Sequence, residues 1–190
     1  MKKIMMSAIV ASGLLMAGGD ISPVTQVTPD SSDFYVGLGL GSTWTYTKGD
    51  FDLTDDVLGK SYVDPMMGFR AGYTFWRSGD FEAAVEGRVL ASFDSNDFDT
   101  TVYSAFIKPE YWVTPEIGVY GLGGYSYTRW NAGGWSDHQG SFAFGLGAEY
   151  QITKSVSVSA DWVSNVWNDN VAGVKNLNND VAMVWLNYKF

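Results

Sequence analysis

From residue 34 to the end of the chain, large apolar side chains recur on alternate positions, in eight separate runs. The first, "FYVGLGLGSTWTY" over residues 34–46, places Phe34, Val36, Leu38, Leu40, Trp44 and Tyr46 on even positions. Gly37, Gly39, Gly41, Thr43 and Thr45 take the odd ones. Alternation of period two makes a strand with two unlike faces. In a soluble sandwich the bulky face turns inward and the other carries Lys, Glu and Gln. Here the second face is small rather than charged, which predicts a narrow or crowded space on that side.

The remaining runs repeat the pattern. Residues 63–76 set Met67, Phe69, Ala71, Tyr73 and Phe75 against Gly68, Arg70, Gly72 and Thr74. Residues 81–93 set Phe81, Val85, Val89 and Phe93 against Glu82, Glu86, Arg88 and Ser92. Residues 101–113 set Tyr103, Ala105, Ile107, Tyr111 and Val113 against Ser104, Lys108, Glu110 and Trp112. Pro109 lies inside that run and removes a ladder donor. The run 117–130 carries large residues on both parities, and Val119, Tyr125 and Tyr127 are expected to face outward. Runs 141–152, 156–167 and 180–190 alternate again, with Glu149, Asp161 and Lys189 on their small or polar faces.

Connection lengths alternate as regularly as the faces. "RSGD", "TPE" and "TKS" join runs 2–3, 4–5 and 6–7, whereas residues 47–62, 94–100, 131–140 and 168–179 form longer links. Short turns at one end and long loops at the other are what an up-and-down transmembrane barrel requires, with the short turns and both termini in the periplasm. Runs of this length match a tilted strand crossing a bilayer. The reading is all-β: an eight-stranded antiparallel up-and-down transmembrane β-barrel over residues 34–190. A soluble ligand-binding barrel is the alternative fold.

The start of the chain supplies the compartment. "MKKIMMSAIVASGLLMAGGD" has Lys2 and Lys3, an uncharged apolar run, then Ala17 and Gly19 before Asp20. That is the layout of a secretory signal peptide, residues 1–19, and its apolar run falls short of the ~20 residues of a spanning helix. Residues 20–33, with Pro23 and Pro29, read as a flexible periplasmic leader. Removing the signal leaves 10 basic and 21 acidic residues, a net charge of −11. An acidic chain without a basic stripe excludes nucleic-acid binding. A mean hydropathy of −0.06 does not argue for solubility, because only alternate residues of a barrel strand meet lipid.

"FYVGLGLG", "GSFAFGLGAEYQITKSVSVSADW" and the closing "VAMVWLNYKF" together resemble the outer-membrane β-barrel superfamily of OmpA, OmpX and opacity-type proteins. The resemblance spans essentially the whole mature chain and implies the outer membrane of a Gram-negative bacterium. It also implies that Tyr188 and Phe190 form the carboxy-terminal signal read by the barrel-assembly machinery. Unlike full-length OmpA, the sequence stops at the barrel and carries no peptidoglycan-binding domain. Lipid and lipopolysaccharide are then the surrounding partners, and the long loops are where an extracellular ligand would bind.

A lipid-facing charge costs roughly 2–4 kcal/mol at the midplane, so charges within strands must point inward. Arg70, Glu86, Arg88, Lys108, Glu110, Glu149 and Asp161 all fall on the inward parity. Arg70 and Glu86 are expected almost opposite each other across the 77–80 turn. An eight-stranded barrel is only wide enough for side chains to fill, which predicts a polar plug of mutually neutralising charges. By similarity to the interior charge network of OmpA, the other reading is a narrow gated ion path, weakly cation-preferring because four acids meet three bases.

Other chemistry finds little footing. Some eight-stranded barrels modify lipid A with a histidine, a serine and an acid, and the one histidine here is His138 in "WSDHQG". Adjacency in sequence does not make a relay, so no catalytic residue is assigned. One histidine and no cysteine argue against a transition-metal site, and no cofactor is expected. Asp50, Asp52, Asp55, Asp56, Asp94, Asp97 and Asp99 make the first two long loops acidic, which reads as a solvated surface of like charge, with weak divalent bridging to lipopolysaccharide phosphates as the alternative. Trp44, Tyr46, Trp76, Trp112, Trp130 and Trp167 stand near run ends, as interfacial girdles require. The functional expectation is a non-enzymatic surface protein serving envelope integrity or adhesion.

Overall fold

The computed structural model describes residues 33–47, 62–93, 98–132, 135–166 and 177–190. The expected signal over residues 1–19, the expected leader as far as residue 32, and most of the long connections lie outside the described residues. Eight strands follow in chain order: β1 (Phe34–Thr47), β2 (Tyr62–Ser78), β3 (Phe81–Ser92), β4 (Phe98–Trp112), β5 (Ile117–Ala132), β6 (Trp135–Gln151), β7 (Val156–Val166) and β8 (Leu177–Lys189). Each pairs antiparallel with its sequence neighbour, and β8 returns to pair with β1 from Tyr35↔Lys189 to Thr47↔Leu177, closing the barrel. Closure removes both sheet edges, the one way a sheet satisfies every backbone group within lipid.

The bulky parity faces outward. Leu38, Leu40, Leu146 and Phe142 are 68%, 64%, 68% and 78% exposed, while Arg70 and Trp185 on the opposite parity are wholly buried. β5 resolves as its even residues Tyr120, Leu122, Ser126 and Thr128 point inward, with Val119, Tyr125 and Tyr127 outside.

The short turns close in specific ways. Gly79 in the β2–β3 turn takes a left-handed φ of 59°, where a Cβ is unfavourable. The β4–β5 and β6–β7 turns share one device. Thr114 Oγ1 accepts from Glu116 N and Ile117 N, and Thr153 Oγ1 accepts from Ser155 N and Val156 N. A threonine hydroxyl thus satisfies the backbone donors that a tight turn leaves over. Asp33, the last residue of the expected leader, already belongs to the barrel: its carbonyl accepts from Thr74 N and its carboxylate meets Arg77 Nη1 at 2.6 Å.

Three expectations need correction. The link expected over 131–140 is mostly strand, because Ala132 pairs with Trp135 and Arg129 with His138, so β5 and β6 form one long hairpin. β4 and β8 likewise begin at Phe98 and Leu177, inside the expected links 94–100 and 168–179. Small and polar residues at those ends hid the strand extension, since alternation is invisible where neither face is apolar. Third, Arg70 lies opposite Arg88 rather than Glu86, whose partner is Gly72. The turn is only Gly79–Asp80, with Ser78 paired to Phe81, and a bulge between Thr74 and Trp76 then shifts the register by one residue. It also turns Phe75 and Trp76 outward together, at 53% and 50% exposure. At Pro109 the β4–β5 ladder skips from Ile107↔Gly123 to Glu110↔Tyr120, as a residue without an N–H dictates.

Candidate functional site

The barrel interior is layered along its axis. Nearest the short-turn end, Lys108 Nζ stands 3.0 Å from both Glu110 Oε2 and Glu149 Oε2. Ser157 Oγ donates to Glu149 Oε1 at 2.7 Å. This triad lines a cavity with Tyr35, Glu82, Trp112 and Lys189. Its formal charge is −1, and it holds all the excess acid of the seven interior charges. Glu110 Oε1 and Trp112 Nε1 are buried there without a hydrogen-bond partner among the described residues.

One layer deeper sits a neutral quartet. Arg88 makes a forked pair with Asp161, Nη1 to Oδ1 at 2.9 Å and Nη2 to Oδ2 at 2.8 Å, and its Nε donates to Glu86 Oε1 at 2.6 Å. Arg70 Nη1 lies 3.4 Å from Glu86 Oε2 and 3.5 Å from Asp161 Oδ2. The Arg70 side chain also donates to Asn187 Oδ1 from Nε and to Ser159 Oγ from Nη2. Two phenols complete the shell: Tyr35 OH donates to Glu86 Oε2 at 2.6 Å and Tyr120 OH to Asp161 Oδ2 at 2.9 Å. Buried ions are tolerated when paired and further hydrogen-bonded in this way.

Above the quartet the interior turns apolar. The Trp185 ring stacks against both guanidinium groups, 4.8 Å from Arg70 Cζ and 5.1 Å from Arg88 Cζ, within cation–π range. With Met66, Leu90, Val102, Val181 and Met183 it forms a closed cluster, and Phe106, Tyr120, Leu122, Ala143 and Val163 form a second beside it. Glycines make the room. A Cβ on Gly39 would stand 2.5 Å from Trp185 Cε3, one on Gly37 would meet Asn187 and Arg70, and one on Gly147 would meet Tyr120. Farther on, Thr43, Thr128, Asn165 and Asn179 line the long-connection end.

The structure therefore brings the seven expected interior charges into two groups, the triad and the quartet. Sequence reading missed Tyr35, Tyr120 and Trp185, which fill the lumen as much as the charges do. Trp185 was legible by parity alone, since it shares odd positions with Asn187 and Lys189. Of the expected girdle, Trp44 and Trp76 lie on the outward side. Trp112 lines the inner cavity instead, on the parity of Lys108 and Glu110. Trp167 and the side chains of Tyr46 and Trp130 lie outside the described residues. Tyr73, Phe81, Tyr111, Tyr150 and Tyr188 ring the outer surface toward the short turns, with Phe34–Tyr73 and Phe81–Tyr111 ring centroids 4.8 and 4.7 Å apart. Tyr188 and Phe190 meet edge-to-face at 5.2 Å on the barrel exterior. His138 is an exposed residue of β6, its ring 5.5 Å from that of Tyr127. Among the described residues no group of three or more His, Asp and Glu side chains is disposed to hold a metal ion.

The family model for the outer membrane protein beta-barrel domain matches residues 12–190. The chain belongs to this family. Membership places an outer-membrane barrel in contact with lipid through the outward face described above. Among solved structures, Neisserial surface protein A is 22% identical, with a TM-score of 0.58 and 85% of this chain covering 100% of that one. Ail, the attachment invasion locus protein of Yersinia pestis, is 15% identical, with a TM-score of 0.55 and 84% of this chain covering 99% of that one. The N-terminal β-barrel domain of Pseudomonas aeruginosa OprF is 12% identical, with a TM-score of 0.55 and 85% of this chain covering 100% of it. At such identities the likeness is one of fold, which an outer-membrane barrel of this family shares. No curated protein matches the chain.

Proposed function

We propose that this protein is a non-enzymatic, non-conducting barrel whose role is envelope integrity and surface contact. It acts through the connections at 47–62, 94–100, 131–140 and 168–179. The single observation that carries this reading is the filled lumen: a fully buried Trp185 cluster lies across a neutral, hydrogen-bonded charge quartet. Short turns and both termini face the periplasm, as the brevity of those turns requires. Tyr188 and Phe190 serve as the assembly signal.

The partner class follows from charge. Ail has been crystallised with a heparin analogue, sucrose octasulfate. Here Asp50, Asp52, Asp55, Asp56, Asp94, Asp97 and Asp99 make the corresponding connections acidic. A polyanion is therefore disfavoured, and a cationic surface or one bridged by divalent cations is favoured.

A narrow, weakly cation-preferring channel is the second reading. It is favoured by the cavity around Lys108, Glu110 and Glu149, which bears net negative charge. Planar-bilayer recording of refolded protein separates the two, comparing wild type with Arg70→Ala. Negligible current in wild type is expected. A reproducible single-channel current that changes in the Arg70→Ala protein would establish the channel and overturn the closed barrel.

A further inference from the structure

On the outward parity, charge is confined to one rim. From the short-turn end up to the cross-strand row Tyr103↔Tyr127↔Gly140, no outward position of β4, β5 or β6 carries a charged side chain. The next row outward is Thr101↔Arg129↔His138, one residue from each of β4, β5 and β6. Arg129 and His138 are exposed and Thr101 is half-exposed. Adjacent strands lie ~4.8 Å apart, so the three side chains stand within about 10 Å, the span of one phosphorylated sugar. Arg129 is the one outward-facing cation of fixed charge among the described strand residues. Beneath it the Tyr127 ring packs against His138, and Tyr125 meets Phe142 edge-to-face at 5.8 Å. An arginine above an aromatic row marks the boundary where hydrocarbon ends and headgroups begin.

We infer that Thr101, Arg129 and His138 form a binding site for a phosphate of the outer-leaflet glycolipid. The guanidinium fork matches a phosphate bidentately, with Thr101 beside it on β4 and His138 beside it on β6. Tyr125, Tyr127 and Phe142 take the proximal acyl chains. The β5–β6 hairpin, paired as far as Ala132↔Trp135, holds the row rigid above the membrane. Asp99 stands two residues farther along β4, beyond the row, so an incoming phosphate meets the cation first. The assignment rests on the orientation given under Proposed function, with the long connections outside the cell.

Refolded protein in detergent micelles, titrated with bisphosphorylated lipid A and followed by native mass spectrometry, tests the site. Wild type should prefer this lipid over its phosphate-free form, and Arg129→Ala should lose roughly ten-fold in affinity, with Arg129→Lys, which keeps the charge but not the fork, falling between the two. His138→Ala should lose less than Arg129→Ala. Equal binding of the phosphorylated and phosphate-free lipids, or no loss in the Arg129→Ala protein, overturns the site. Displacement by inorganic phosphate, or equally tight binding of phosphatidylglycerol, overturns the assignment to a glycolipid. Orientation is read separately. The natural chain has no cysteine, so Asp56→Cys should react with an impermeant maleimide on intact cells and Lys154→Cys should not. Reversed labelling refutes the orientation, whereas correct labelling without lipid selectivity refutes the site alone.

Discussion

Asp161→Asn is the sharpest probe of the filled lumen. The replacement keeps the shape of the side chain but removes its charge, taking the Arg70–Arg88–Glu86–Asp161 quartet from neutral to a formal +1. Arg88 loses one limb of its fork, and Tyr120 competes for the remaining oxygen. Arg70 loses the carboxylate 3.5 Å from its Nη1. Asp161 and both arginines are almost wholly buried, so water does not screen the imbalance. Removing one partner from a buried ion pair costs about 3–5 kcal/mol. With a urea slope of about 1–3 kcal/mol/M, the unfolding midpoint should fall by roughly 2 M. Tryptophan fluorescence of protein refolded into lipid vesicles reads that midpoint, with heat-modifiable gel migration as a check on the folded fraction. The double variant Arg88→Met, Asp161→Leu should recover much of the loss, because an apolar pair leaves no uncompensated charge. A midpoint shift below about 0.5 M for Asp161→Asn would refute the reasoning, since that is the cost of a solvated pair rather than a buried one.

Two further outcomes follow from the packing. Gly39→Val should destabilise the barrel by about 1–3 kcal/mol, because its Cβ would overlap the Trp185 ring. Gly123→Ala, whose Cβ meets nothing within 4 Å on the outward face, should leave the same urea midpoint unchanged. Deleting Phe190 should lower the amount of protein assembled in the outer membrane, measured by fractionation of cells, while purified protein still refolds in detergent. Equal assembly would remove Phe190 from the proposed signal.

Much of the barrel was legible in the amino-acid sequence because the bilayer imposes the same rule on every strand. Each outward position must be apolar, so alternation at Phe34–Tyr46, Phe142–Ile152 and Ala182–Phe190 announces strand, facing and solvent together. Charge on the opposite parity then has to be interior, which is why the sequence alone groups Arg70, Glu86, Arg88, Lys108, Glu110, Glu149 and Asp161. Where side chains stop meeting hydrocarbon, that rule lapses. The ends of β4, β6 and β8 accordingly carry no strand signal in the sequence, and only backbone pairing defines the outer part of the β5–β6 hairpin.

Which interior residues meet depends on register and on shape, and neither is a property of one strand. The bulge between Thr74 and Trp76 set Arg70 against Arg88 and left Glu86 to bridge them, an outcome no turn count provides. Likewise, glycine at 37, 39 and 147 promises space, but only closure of β1 on β8 and packing of β5 against β6 decide what fills it. Trp185, Tyr120 and Arg70 claim that space because the barrel is narrow and these side chains reach it from across the lumen. Sequence alone thus determined that a membrane barrel with an ionic interior would form. The tertiary structure decided that the ions neutralise one another beneath an apolar seal, because pairing and packing across a lumen are set by distances between strands far apart in the chain.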